Sequence, residues 1–135
     1  DGAFGISMNE MTAIGRDDWP PITMVIFRNY QWGAEKRNTT LWYQDNFVGT
    51  ELALDVNYAK IADACGLKGV QVTTMQELTD ALDAAVKAQM NDGGTTFIEV
   101  ILNQELGEPF RRDAMKAPVE VAGINPGDMK PQNPA

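Results

Sequence analysis

The chain has 135 residues, 44% of them hydrophobic, and carries 11 Lys and Arg against 19 Asp and Glu, a net charge of −8 at pH 7. These values fit a single soluble domain with a sizeable core, and the acidic balance argues against nucleic acid or an anionic membrane as a general partner. The single cysteine excludes an internal disulfide framework, and the absence of histidine leaves any proton transfer or metal ligation to other groups. We expect a cytoplasmic enzyme or binding domain.

The first ten residues, DGAFGISMNE, begin with an acid and a glycine and lead directly into helical spacing. In an α/β domain such a turn normally follows a buried strand, and the next helix presents its free N–H groups to an anion. Either the first strand is dispensable, or the chain is a piece of a longer protein. One helix is predicted over residues 4–16, because apolar side chains recur there at helical spacing, at Phe4, Met8, Met11 and Ile14.

A strand is predicted next, over residues 22–27, where a nearly continuous apolar run follows two prolines. Such a run is typical of a parallel strand that is buried on both faces. The polar residues Arg28 and Asn29 follow it immediately. Residues 30–54 mix aromatic and charged side chains without a clean period, which indicates a long functional connection.

The second half of the chain continues the alternation of helices and strands. A helix with a plausible Asp55 cap is predicted to end at Gly66, and a short strand covers residues 70–73. Thr74 and Glu77 form a capping box that begins the clearest helix, which ends at residues 91–94. A strand over residues 95–102 follows, and we expect the tail of residues 125–135 to be extended.

This order predicts an α/β fold, a parallel sheet with helices on both faces. Ligands of such sheets bind beyond the carboxyl ends of the strands. Asp1 and Asn29 are separated by one helix and one strand, so a parallel crossover brings both to the same edge. A carboxylate, an amide oxygen and a backbone carbonyl are hard donors that suit Mg²⁺, and the amides from Gly2 to Gly5 would bind a phosphate.

The stretch DGAFGISMNEMTAI, followed by ITMVIFRNYQWG, resembles the diphosphate-binding motif of thiamine-diphosphate enzymes, which runs from Gly-Asp-Gly to Asn-Asn. The resemblance extends through RNYQWGAEKRNTTLWYQDNFVGTEL and FRRDAMKAPV to the acetolactate-synthase-like group of this family. It covers residues 1–124 and implies a C-terminal domain that binds thiamine diphosphate, with the first Gly of the motif and the first strand absent.

The resemblance assigns roles to five residues. It implies that Asp1 and the Asn29 side chain bind Mg²⁺ together with the backbone carbonyl of Gln31, and that Gly2 and Ala3 contact the diphosphate. One departure is that Arg28 stands where the family usually has its first Asn. Arg28 is expected either to pair with an acid or to face phosphate.

Within the group, the resemblance points to enzymes that cleave sulfoacetaldehyde with phosphate to give acetyl phosphate and sulfite. Lys36 and Arg37, close behind the metal loop, are our own candidates for contacts to these anionic substrates, because an arginine fork matches a tetrahedral oxyanion. A 2-oxo acid carboligase or decarboxylase, and a non-catalytic α/β binding module, remain open as alternatives.

The family's activating glutamate lies on a separate pyrimidine-binding domain, usually of a partner subunit. We therefore expect a homo-oligomer, a dimer or a tetramer, and an inactive chain when it is taken alone. Other features have simpler interpretations. Arg111 and Arg112 indicate surface charge or a subunit contact, and Cys65 indicates a buried thiol on an apolar helix face.

Overall fold

The computed structural model describes residues 1–104. The predicted boundary at residue 124, the tail of residues 125–135 and the pair Arg111 and Arg112 lie outside the described residues. In chain order the elements are helix α1 Gly2–Ile6, a 3₁₀ turn Met8–Glu10, helix α2 Met11–Ile14, strand β1 Thr23–Arg28, helix α3 Gly33–Trp42, helix α4 Tyr58–Ala64, strand β2 Lys68–Val72, helix α5 Met75–Lys87, a π turn Ala88–Asp92 and strand β3 Thr96–Ile101.

The three strands form one parallel sheet in the order β1-β3-β2, so β3 lies between the other two. In the register of this sheet Glu99 stands opposite both Ile26 and Gln71. Each face carries its own apolar cluster. One consists of Met11, Ile26, Tyr58, Ala62, Leu67 and Phe97, and the other of Val72, Ala85, Ile98 and Val100. Because α2 and α4 contribute to the first cluster and α5 to the second, the predicted parallel sheet with helices on both faces is confirmed.

The first helical segment is broken rather than continuous. Ser7, at φ −120° and ψ 21°, leaves the helical conformation between α1 and the 3₁₀ turn. Serine competes for backbone hydrogen bonds and is a weaker helix former than alanine, which explains a break at this position. The predicted apolar stripe is nevertheless right, because Met11 is buried and Phe4, Met8 and Ile14 pack against the same cluster.

Strand β1 begins one residue later than predicted, and its burial differs from the prediction. Ile26 and Arg28 are buried, whereas Val25 and Phe27 are 39% and 60% exposed. Burial on both faces is therefore wrong for this strand within residues 1–104. The reason is that the cluster beneath α5 is built from residues of β2 and β3, which leaves the same face of β1 open.

Two further predictions are corrected by the backbone. The connection of residues 30–54 contains helix α3, which its mixed composition concealed. The cap of α4 is Asn57, whose side chain accepts a hydrogen bond from the Lys60 N–H, rather than Asp55. By contrast, the Thr74 and Glu77 capping box of α5 is present as predicted.

Helix α4 packs directly on strand β2 through Gly69. A Cβ atom at this position would lie 1.9 Å from the Ala59 carbonyl oxygen, so no larger residue fits without moving the helix. This contact fixes the height of α4 above the sheet. Among the described residues, none of the helices is long and apolar enough to cross a membrane.

Candidate functional site

A cleft of about 470 Å³ opens at the carboxyl end of β1. Its lining includes all five residues predicted to hold the cofactor, namely Asp1, Gly2, Ala3, Asn29 and Gln31. Asp1 is the N-cap of helix α1, Gly2 and Ala3 begin that helix, and the segment after β1 supplies the other two. The structure therefore brings together residues that are about thirty positions apart in the sequence, as the parallel crossover requires.

The two carboxylate oxygens of Asp1 have different surroundings. Oδ2 accepts a hydrogen bond from the Tyr30 backbone N–H at 3.2 Å. Oδ1 is buried and has no hydrogen-bond partner among the described residues. A buried carboxylate oxygen without a partner is costly, and such an atom at a ligand cleft is a natural position for a cation.

The backbone nitrogen of Asp1 is also engaged at this edge of the sheet. It donates a hydrogen bond of 3.0 Å to the Phe27 carbonyl, which anchors Asp1 to β1.

Tyr30 turns the chain at the end of β1. Its φ of 60° lies in the left-handed region, which is uncommon for a residue other than glycine. This conformation aims the Tyr30 N–H at Asp1 and reverses the chain toward α3. Backbone strain of this kind is concentrated at functional sites, where the surrounding structure holds it in place.

Gln31 presents its backbone carbonyl away from the neighbouring segment. Gln31 and Glu51 form an isolated antiparallel bridge, whose hydrogen bonds run from Trp32 N–H to Thr50 and from Leu52 N–H to Tyr30. In this type of pair, the N–H and C=O groups of the central residue point away from the partner segment. The Gln31 carbonyl is therefore not used by the bridge and is left for another partner.

Gly2 is required by the close approach of an aromatic ring. A Cβ atom at Gly2 would lie 2.8 Å from Trp32 Cε3, and the same ring lines the cleft. Trp32 itself is the N-cap residue of α3. The absence of a side chain at Gly2 thus allows α1 and α3 to meet at the cleft. Glycine is required here by packing, whether or not a ligand is bound.

Arg28 lies beneath the cleft, where its side chain and that of Glu99 are both buried. Its Nη1 is 2.5 Å from Glu99 Oε1, and its guanidinium lies 4.4 Å and 4.8 Å from the ring centres of Tyr30 and Tyr58. Glu99 Oε2 accepts hydrogen bonds from the Ala59 N–H and from Gln71 Nε2. Of the two roles expected for Arg28, the structure shows the pairing with an acid.

Glu99 is the important residue that the sequence interpretation missed. It is an isolated acid within the apolar run of residues 95–102, and its side chain is completely buried. A charged residue in the middle of a buried strand needs a partner of opposite charge. Arg28, at the end of another strand, was available as that partner, so the signal was present in the sequence.

Lys36 and Arg37 lie on α3, beyond Glu35, which is the last residue of that helix in the cleft lining. Lys36 forms an ion pair with Glu51 and also lies over the Phe47 ring, 5.1 Å from its centre. This pair, together with a hydrogen bond from Gln104, holds the pKa of Glu51 below its usual value. The positive charge of Lys36 is thus already matched by an acid. Contacts of Lys36 and Arg37 to an anionic substrate stay predictions.

The donor set at the cleft fits a small, hard cation. Asp1 offers a carboxylate oxygen without a partner, Asn29 an amide and Gln31 a backbone carbonyl, and oxygen ligands of this kind suit Mg²⁺. Within residues 1–104, no group of three or more His, Cys, Asp or Glu side chains is placed to hold a metal. A single carboxylate therefore needs phosphate oxygens or water to complete the coordination.

Comparison with known proteins gives consistent matches. Residues 1–100 match the family model described as "Thiamine pyrophosphate enzyme, C-terminal TPP binding domain". The chain is 72% identical over 132 residues to a probable sulfoacetaldehyde acetyltransferase of Rhizobium meliloti, and 71% identical over 132 residues to the sulfoacetaldehyde acetyltransferase of Rhodobacter capsulatus. Each match covers 98% of this chain and 22% of the relative. The mitochondrial acetolactate synthase catalytic subunit of Saccharomyces cerevisiae is 26% identical over 78% of the chain and 15% of its own length.

Proposed function

Because this chain belongs to the thiamine pyrophosphate enzymes and corresponds to their C-terminal TPP binding domain, we propose that it binds the diphosphate of thiamine diphosphate through Mg²⁺. The ligands are the Asp1 carboxylate, the Asn29 side chain and the Gln31 carbonyl. The backbone of Gly2 and Ala3 contacts the diphosphate. The observation that carries this proposal is the buried, unpartnered Asp1 Oδ1 in a cleft shared with Asn29 and Gln31.

The residues of this chain bind and orient rather than transfer protons. Asp1 is fixed through its backbone nitrogen and Oδ2, so Oδ1 can meet a cation without further reorganisation. The Arg28 and Glu99 pair supports the turn that carries Asn29 and Gln31. When bound, thiamine diphosphate supplies a nucleophilic thiazolium carbon, and the work of this chain is to place its diphosphate end.

The binding experiment uses the complete protein that carries this chain. Isothermal titration calorimetry with thiamine diphosphate and Mg²⁺ compares the parent with Asp1→Ala and Asn29→Ala. Matched controls are Asp17→Ala and Asn9→Ala, which remove the same side chains at exposed positions. We expect each site variant to weaken Mg²⁺-dependent binding by about 10-fold or more, because it removes a metal ligand. Unchanged affinity in both would favour the non-catalytic binding module.

For the complete protein we propose the conversion of sulfoacetaldehyde and phosphate to acetyl phosphate and sulfite. Two relatives with 71% and 72% identity carry names that specify this acetyltransferase, whereas a named acetolactate synthase is 26% identical. The chain spans about a fifth of the length of the former two, so the substrate contacts made elsewhere in the protein are part of the proposal. Both substrates are anionic, and Lys36 and Arg37 stay candidates for their contacts.

The alternative function is a carboligase or decarboxylase that acts on a 2-oxo acid. The product that is released distinguishes this enzyme from the acetyltransferase. Sulfite release from sulfoacetaldehyde with phosphate supports the acetyltransferase, whereas carbon dioxide release from a 2-oxo acid supports the alternative function. We also propose that a pyrimidine-binding domain completes the site and that the complete protein is a homo-oligomer. Light scattering with and without cofactor tests the oligomeric state.

A further inference from the structure

The two oxygens of Asp1 differ not only in hydrogen bonding but also in their distance from a fixed positive charge. Oδ2 faces both the Tyr30 N–H, at 3.2 Å, and Arg28 Nε, at 3.9 Å. The latter distance is too long for a hydrogen bond but within the range of a charge contact. Both side chains are 1% exposed, so water screens this contact very little.

Arg28 cannot easily leave this position, because it is held on several sides. Its Nη1 pairs with Glu99, and its Nη2 donates to the Ala53 carbonyl at 3.1 Å. The rings of Tyr30 and Tyr58 also contact the guanidinium. The hydrogen bonds use Nη1 and Nη2 and leave Nε, which has no hydrogen-bond partner among the described residues, beside Asp1.

We propose that Arg28 is a positioning residue that limits Asp1 to one ligating oxygen and thereby favours Mg²⁺ over Ca²⁺. The inference rests on the proposed function, in which Asp1 binds the metal of the cofactor. Arg28 and the Tyr30 N–H occupy Oδ2, so only Oδ1 is left without a partner among the described residues. Mg²⁺ demands a compact octahedral shell, whereas the larger Ca²⁺ readily takes a carboxylate through both oxygens. A carboxylate restricted to one oxygen therefore disfavours Ca²⁺.

The test compares the two metals in the complete protein. Calorimetry measures the Mg²⁺ and Ca²⁺ concentrations that give half-maximal binding of thiamine diphosphate, and the readout is their ratio. In Arg28→Met we expect this ratio to move toward Ca²⁺ by about 10-fold, the lower end of the range for contacts behind metal ligands. A purely structural role would weaken binding with both metals in parallel and leave the ratio unchanged.

A second variant covers the case in which Arg28→Met does not fold. In Arg28→Lys the ammonium can pair with Glu99 but provides no Nε beside Asp1, so we expect a folded protein with a ratio shifted in the same direction. Arg16→Met is the charge control, because Arg16 pairs with Asp18 at the surface and its loss should leave the ratio unaltered. An unchanged ratio in Arg28→Lys overturns the proposal. Unchanged Mg²⁺-dependent binding in Asp1→Ala and Asn29→Ala instead overturns the proposed function itself.

Discussion

Arg28 and Glu99 form an ion pair between β1 and β3, with Nη1 2.5 Å from Oε1 and both side chains at most 1% exposed. Removing one partner leaves the other charge buried and uncompensated. We expect Glu99→Ala to lower the free energy of unfolding by about 3–5 kcal/mol, measured by urea denaturation of the complete protein.

The surface pair of Arg16 and Asp18 provides the matched control. Its side chains are 64% and 68% exposed, so Asp18→Ala should cost at most about 1 kcal/mol. Replacing both members of the pair, as Arg28→Met with Glu99→Leu, should recover part of the loss, because neither Arg28 nor Glu99 is then left buried without the other. Equal effects of Glu99→Ala and Asp18→Ala would contradict this account.

Gly2→Ala should disturb the cleft. The added Cβ would lie 2.8 Å from Trp32 Cε3, so α1 and the ring must move apart. Overpacking of this kind costs about 1–3 kcal/mol of folding stability, and we expect the displaced Trp32 ring to weaken the binding of thiamine diphosphate as well. Calorimetry measures it. Gly5→Ala is the control, since its Cβ would meet no atom within 4 Å, and comparable losses in both variants would argue against the Trp32 contact.

Gly69→Ala should destabilise the packing of α4 on β2. Its Cβ would overlap the Ala59 carbonyl oxygen at 1.9 Å, and a backbone atom cannot rotate away as a side chain can. We expect a loss of about 1–3 kcal/mol in unfolding free energy. Gly94→Ala is the comparison, because its nearest neighbour would be the Ala88 Cβ at an ordinary 3.6 Å. If the Gly69→Ala and Gly94→Ala proteins have the same free energy of unfolding, α4 can shift on β2 without loss of stability and the prediction is wrong.

The Glu77 capping carboxylate should make stability dependent on pH. Hydrogen bonds from Thr73, first through its backbone N–H and then through its hydroxyl, and from the Thr74 N–H lower the pKa of Glu77 below its ordinary value of 4.5. A carboxylate with a lowered folded-state pKa stabilises the fold above its unfolded pKa, and this contribution disappears as the pH falls through the folded value.

The measurement is urea denaturation of the parent and Glu77→Gln from pH 7 to pH 3. We expect the variant to be less stable at pH 7 and the difference to shrink in acid. Glu10→Gln, at an exposed position of the 3₁₀ turn, is the control. A difference that stays constant across this range would exclude the ionised cap as its cause.

Local chemistry made several elements predictable. The capping box of α5 depends on residues three positions apart, and the stripe of Phe4, Met8, Met11 and Ile14 depends only on helical periodicity. Helix α3 was not predicted because its mixed composition gives no clear apolar face. The exposure of Val25 and Phe27 was not predictable either, since it depends on where α5 packs.

The sequence by itself determined the alternation that makes a parallel sheet, because periodicity is a local property. Its resemblance to a known motif identified the family and implied the five candidate cofactor residues. Only the tertiary structure decided how those residues are supported. The pairing of Arg28 with Glu99 joins residues 71 positions apart, and the left-handed turn at Tyr30 depends on contacts with Asp1 and Arg28. Such contacts arise from the register of β1 on β3, which sets neighbours that no local pattern specifies.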